Sequence, residues 1–394
     1  MALTIVRRLK QEPATRNSPV TRTTNKAYFP GLDGLRALAF FMVFGDHYLA
    51  LPWGWAGVDV FFVLSGFLIT GILFDTRDNP YRLRNFYIRR TLRIFPLYYG
   101  VILAMVLLYP VFQWRWSWHW LIWPTYIANF ACVYAPYSTR WTLGVLAYGS
   151  LWSLKYFNCR LLFGHFWSLC VEEQFYLVWP WVVFWLRDRK KLLWVCAAFV
   201  MLVPILRVLA SHTLPQFMLK QDALYRCTPF RIDALLLGGL IALVRRGSSS
   251  RGLLIAARVC FSGMLSVLVL WLILNPSARH GTIYYVYPPW HFTWGLSFID
   301  IFAACVMVMA MNPGSITYRL FSFRPLRWLG KISYGAYVFH DIPHLLLMHL
   351  VQTHTGHFRL PTAALAFSVT LLAAWASFRW FESPMSRLKD RLTR

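Results

Sequence analysis

In the apolar stretch GLDGLRALAFFMVFGDHYLAL, an arginine and a histidine stand eleven positions apart, at Arg36 and His47. A guanidinium carries a permanent charge suited to carboxylate or phosphate, and an imidazole exchanges protons near neutral pH. Ionisable groups inside segments of membrane length are costly, which makes each a functional candidate by default. On an α-helix, eleven residues turn through roughly 1100°, about 20° past three full turns, so both side chains point the same way. The rise of about 16 Å sets Arg36 near one membrane surface and His47 past the middle. One helix thus offers a group to hold an anion and, across the bilayer from it, a group to move a proton.

Further candidates lie in other apolar runs. The segment HFWSLCVEEQFYLVWPW (165–181) carries Glu172 and Glu173. Consecutive helical residues diverge by about 100°, so one of the two faces the bundle interior. A carboxylate at the depth of His47 would fix the imidazole tautomer and stabilise its charged form, the logic of a general base. A buried structural pair fits the same spacing. Asp46 adjoins His47 but points elsewhere around the helix.

The run RLRNFYIRRTLRIFP gathers Arg82, Arg84, Arg89, Arg90 and Arg93 on the side of Arg36. Arginine forks suit phosphate, although orientation in the bilayer and lipid headgroup contact account for most such clusters. In GVDVFFVLSGFLITG, Gly57, Gly66 and Gly71 allow close helix packing, and Asp59 and Ser65 are candidates to line a cavity. Arg231 and Asp233 in FRIDALLLGGL form a candidate pair near the outer face. His340 in YGAYVFHDIP falls mid-span and could face the cavity of His47, though a lone membrane histidine is more often structural. Glu382 is expected to pair with a nearby arginine. No zinc-ligand spacing, Walker loop, GxSxG elbow or GxGxxG appears in the required context.

The elements that must position these groups follow from composition. Of 394 residues, 58% are hydrophobic and 14% charged, against about 25% charged in soluble domains. The net charge of +25 sits in short basic clusters between apolar runs, a membrane-orientation pattern and not a nucleic-acid surface. About ten spans are predicted, at 33–52, 56–76, 94–112, 165–186, 191–210, 230–245, 253–274, 292–311, 331–350 and 361–381: an all-α polytopic bundle. With a cytoplasmic amino terminus, 27 of the 40 Lys and Arg fall on the inner side, 9 on the outer side and 4 within spans. That asymmetry predicts both termini inside. Residues 1–27 read as a disordered basic tail, 28–385 as the membrane domain and 386–394 as a short basic tail. The seven cysteines show no CxxC pairing. Packing roles are favoured over a Cys132–Cys159 disulfide.

The segments LDGLRALAFFMVFGDH, GVDVFFVLSGFLIT, RRTLRIFP, FWSLCVEEQFYLVWP, RIDALLLGGLIA, LGKISYGAYVFHDIP and FESP occur in this order over nearly the whole chain. Each is weak alone. Together with the Arg-x10-His spacing, they give a chain that resembles the membrane acyltransferase-3 family, integral-membrane enzymes that acylate bacterial surface sugars and some small metabolites. The resemblance implies a ten-helix fold in the bacterial inner membrane. It also implies an acyl-CoA donor, chiefly acetyl-CoA, on the cytoplasmic side, a carbohydrate or glycan hydroxyl as acceptor from outside, and no metal. It makes Arg36 and His47 necessary for activity and maps the family carboxylate onto Glu172 or Glu173, with Glu173 preferred. The family's apolar-His-Trp-Pro run is here FHDIP, so Asp341 and Ile342 interrupt the pattern around His340. With no hydrolase-like sequence after Glu382, single-domain members are the expected match.

On this reading the donor's phosphates rest on Arg36 and Arg93, with Arg89 and Arg90 in support. The pantetheine arm runs outward over the roughly 16 Å to His47. His47 acts as base, Glu173 stabilises the imidazolium, and Asp59, Ser65, Glu172, Arg231 and His340 contact the acceptor, which arrives under the 113–160 loop. A secondary transporter using Arg36, His47 and Glu173 as a proton relay is the competing class. Transporters commonly show inverted repeats with broken helices, and none is visible here. A scaffold would leave ionisable groups at matching depth without a purpose.

Overall fold

The computed structural model describes residues 28–51, 53–107, 121–130, 164–214, 223–247, 250–274, 289–343 and 359–393. Among them there is no strand. The main helices are α1 (Pro30–Leu49), α2 (Gly57–Asp75), α3 (Arg82–Leu107), α4 (Trp167–Leu186), α5 (Arg189–Thr213), α6 (Ile232–Arg245), α7 (Ser250–Leu274), α8 (Trp294–Ala310), α9 (Ile316–Phe321), α10 (Arg324–Phe339), α11 (Arg359–Ser377) and α12 (Ser383–Leu392). A helix therefore overlaps each predicted span over the residues described. The predicted amino-terminal tail, Cys132 and Cys159 lie outside the described residues, as does most of the 113–160 loop, whereas the predicted carboxyl-terminal tail is helical, forming most of α12.

Five described segments are long and apolar enough to cross a membrane: Gly54–Asp75, Arg82–Leu107, Arg189–Thr213, Gly252–Leu274 and Leu360–Leu392. The others are short, such as α6 with 14 residues, or carry charge, such as α1 with Asp33, Arg36 and Asp46. Two boundaries differ from expectation. The arginine run 82–93 is itself the first half of α3, because its long stems can lie along a helix while their heads reach polar surroundings. The regular part of α10 ends at Phe339, where the His340 amide still bonds the Ala336 carbonyl at 3.0 Å.

Side-chain pairings fix the relative directions of the helices. Asp33 meets Gly330 and His47 meets His340, so α1 and α10 run parallel. Asp59 pairs with Arg231, and Gly71 lies against Arg246, so α2 and α6 also run parallel. In contrast, α5 is antiparallel to α6: Arg207 meets Asp233 at one end and Arg189 meets the Leu243 carbonyl at the other. Likewise α3 is antiparallel to α4, since Arg82 lies over Phe184 while Tyr98 stacks near Phe166.

The centre of the bundle is α2, which buries most of its length, whereas α7 turns almost all of its surface outward. Close approach at the centre depends on missing side chains. A Cβ on Gly66 would collide with the Leu235 backbone, and one on Gly238 with the Val63 carbonyl. Small residues at such crossings let helix backbones touch where lipid supplies no hydrophobic drive. On the outside, Trp185, Trp194 and Met201 are exposed, as expected for surfaces wetted by acyl chains.

Candidate active site

The first halves of α1 and α3 carry the cationic groups. Arg36 donates to Asp33 at 2.9 Å, and the other oxygen of Asp33 accepts from the Tyr28 hydroxyl at 2.7 Å. This holds the guanidinium at the wall of a cavity partly open to solvent. Arg90 and Arg93 line the same cavity, with Ser65, Glu172 and Tyr176. The Arg90 guanidinium lies over the Tyr176 ring at 5.3 Å. On α2 the wall runs from Ile69 to Val58, about 16 Å along the axis. Near the Val58 level its lining includes Ser168 and Tyr337.

Arg89 is not among the residues lining this cavity. It donates instead to the Thr393 hydroxyl at 2.8 Å, which ties α3 to the end of the chain's last described helix. Outside the spans, Asp188 caps α5 by accepting from the Lys191 amide at 2.8 Å, and that bond holds its carboxyl below the ordinary carboxylate range.

One turn of α10 beyond Tyr337 lies a cluster of three imidazoles and a carboxylate. His340 Nε2 is 3.1 Å from His47 Nδ1, and Asp341 Oδ1 is 3.5 Å from the same nitrogen. His165 Nδ1 stands 3.3 Å from Asp341 Oδ2, with its Nε2 facing the Val338 carbonyl. The tautomers follow from the acceptors. His340 Nδ1 is 2.6 Å from the Tyr337 carbonyl, which can only accept, so Nδ1 carries the proton and Nε2 keeps its lone pair. His47 Nδ1 then faces a lone pair and a carboxylate, so it must be the N–H. The basic lone pair of His47 is left on Nε2, in a side chain 28% exposed.

The structure therefore corrects the expected carboxylate. Asp341, not Glu173 or Glu172, orients His47. The helical rise is the reason: the outer end of α4 begins just after His165, and Glu173 lies eight residues further in, about 12 Å along the axis. Glu172 faces Ser65 and the arginines of the cavity, while Glu173 interacts with Tyr98, Tyr126 and Tyr334. The uninterrupted route from Arg36 to His47 is also revised. His47 is not among the residues lining the cavity, whereas Tyr337 and Ser168 are.

Arg231 and Asp59 are 0% exposed and pair with each other, so neither is placed to contact an acceptor. Asp233 pairs with Arg207 at 2.7 Å and not with Arg231, because residues two apart on a helix do not face each other. Asp300 completes this buried group, its two oxygens without hydrogen-bond partners among the described residues. Glu382 accepts from Ser377 at 3.1 Å. The five described cysteines, Cys170, Cys196, Cys227, Cys260 and Cys305, are free thiols. Asp341, His165, Ser168 and Tyr337 were missed as site residues. The one legible signal was a histidine followed directly by an aspartate inside an apolar span, at 340–341.

A helical membrane protein with an arginine-lined cavity rising toward an oriented imidazole has the parts of an integral-membrane group-transfer enzyme. The family model for an acyltransferase domain matches residues 29–379, and the chain belongs to that family, the membrane acyltransferase-3 proteins. It is 32% identical over 389 residues to the peptidoglycan O-acetyltransferase OatA of Listeria monocytogenes, covering 93% of this chain and 57% of that protein. It is 31% identical to the putative peptidoglycan O-acetyltransferase YrhL of Bacillus subtilis (92% of this chain, 56% of that protein). It is 26% identical to the O-acetyltransferase OatA of Staphylococcus aureus (91% and 57%). The chain thus spans a little over half the length of these relatives, which are longer than the single-domain members expected. No solved structure matches it.

Proposed function

We propose that this protein is a membrane O-acyltransferase that moves an acetyl group from acetyl-CoA on the cytoplasmic side to a hydroxyl of a peptidoglycan-like glycan on the outer side. The observation that carries the reading is the imidazole of His47, oriented by Asp341 and His340 one helical turn beyond an arginine-lined cavity. On this reading the chain makes ten crossings of a bacterial inner membrane with both termini inside; the excess of Lys and Arg in the loops assigned to the inner side supports that sidedness. The family match favours this reading over a proton-coupled transporter.

Arg36, Arg90 and Arg93 bind the nucleotide phosphates of the donor through charge-assisted hydrogen bonds. The pantetheine arm occupies the roughly 16 Å of cavity beside α2, which places the thioester under Tyr337. An acceptor hydroxyl needs a gap of about 6 Å between base and carbonyl carbon: one hydrogen bond of about 2.8 Å plus an attack distance of about 3 Å. The step of one turn from Tyr337 to His340 provides roughly 5 Å. His47 Nε2 takes the hydroxyl proton, the oxygen attacks the carbonyl carbon, the C–S bond breaks, and the imidazolium returns its proton to the departing thiolate.

The test uses sealed inside-out vesicles holding glycan fragments and given acetyl-labelled acetyl-CoA outside. Wild type is expected to place label on the enclosed glycan, and His47→Ala to place none while still melting cooperatively. Label transfer by His47→Ala at the wild-type rate would remove the base, and uptake of an ion without label transfer would favour the transporter.

A further inference from the structure

Resting on that reading, we propose that the hydroxyls of Ser168 and Tyr337 form the oxyanion-binding pair for the acyl thioester. Both side chains are buried in the cavity wall at its end nearest the imidazoles. Their oxygens lie 2.6 Å apart. Each also reaches the His165 carbonyl, Ser168 at 3.1 Å and Tyr337 at 2.9 Å.

Two hydroxyl protons therefore serve three contacts. Either hydroxyl alone satisfies the His165 carbonyl, so the other proton can turn into the cavity without leaving a buried acceptor bare. That is the property an oxyanion site needs: donors fixed in a dry wall, aimed where charge develops, with little reorganisation during reaction. Tyr337 also contributes its own carbonyl to the proton on His340 Nδ1, at 2.6 Å. One residue thus fixes the tautomer that orients the base and supplies a donor for the carbonyl under attack.

The charge balance follows. As the acceptor oxygen bonds the carbonyl carbon, the C=O pair moves onto oxygen, where one hydroxyl of the Tyr337–Ser168 pair donates to it while the other keeps the His165 carbonyl. When the C–S bond breaks, the pair returns to re-form the carbonyl of the ester. The second hydroxyl pair, Ser65 and Tyr176, lies eight residues inward along α4 from Ser168, about 12 Å. It is too deep to serve the same atom.

The experiment compares acetyl-CoA with its dithioester, in which sulfur replaces the carbonyl oxygen and accepts hydrogen bonds poorly, using full-length protein in vesicles. Wild type is expected to prefer the oxygen donor by more than tenfold. Tyr337→Phe and Ser168→Ala are each expected to lose about 10²-fold in kcat with KM for acetyl-CoA unchanged, and the oxygen-to-sulfur preference should shrink in both. Tyr176→Phe should keep the wild-type preference whatever its rate. Equal use of both donors by wild type overturns the proposal without reference to any variant. So does an undiminished preference in Tyr337→Phe or Ser168→Ala. These outcomes leave the role of His47 untouched, since its loss abolishes transfer from either donor.

Discussion

His340 Nε2 and His47 Nδ1 meet at 3.1 Å across 293 residues of sequence. The contact joins the carboxyl-terminal ends of two parallel helices, α1 and α10, and, with Asp341, decides which nitrogen of His47 is basic. It joins two histidines far apart in sequence into one hydrogen-bonded pair.

Asp341→Asn should keep the fold and lose catalysis. The amide preserves the shape but not the charge that holds the His47 Nδ1 proton and stabilises the imidazolium. The expected drop in kcat is about 10²–10⁴-fold, read as label transfer per folded molecule. A rate within twofold of wild type would mean that Asp341 does not orient His47.

Arg36→Ala and Arg93→Ala should weaken donor binding more than turnover. A charge-assisted hydrogen bond contributes about 1.5–3 kcal/mol, so the KM for acetyl-CoA should rise by roughly 10- to 100-fold with kcat little altered. Arg89→Ala, whose partner is Thr393, should leave that KM near the wild-type value. The same KM change in all three variants would argue for a general surface charge effect and against a phosphate site.

The buried ion pairs make a stability prediction. Asp59→Asn strands the Arg231 guanidinium in a site with no solvent exposure, at a cost of about 3–5 kcal/mol. Asp300→Asn removes the third carboxylate from a group with two guanidiniums and should melt at or above the wild-type temperature. Thermal unfolding in detergent compares them. Equal destabilisation by both variants contradicts the charge assignment.

Gly66→Ala tests the central crossing. The new methyl would meet the Leu235 backbone, and overpacking of this kind costs about 1–3 kcal/mol. Gly263→Ala has open space around it and serves as the matched control. If the two variants melt together, α2 and α6 do not approach as closely as described.

Much of the architecture was legible because the bilayer imposes its own grammar. Apolar length located helices that overlap the predicted spans over the residues described, and the Arg36–His47 spacing marked the helix that carries both candidate groups. The partners of those residues were not legible. Spacing along one helix gives depth and facing, but not which neighbour arrives at the same depth. Asp341 met His47 because α10 runs parallel to α1 and brings its last turn level with the end of α1. Glu173 did not, because α4 starts at that level with His165 and carries the glutamates inward. Arg231 chose Asp59 over Asp233 for a similar reason: a helix separates residues two apart, whereas a parallel neighbour places its own residue opposite. Sequence determined the helices and the chemistry they carry, since both depend on local composition. Tertiary structure alone decided the pairings, because a buried charge settles on whichever partner the packing of glycine-lined crossings brings within reach.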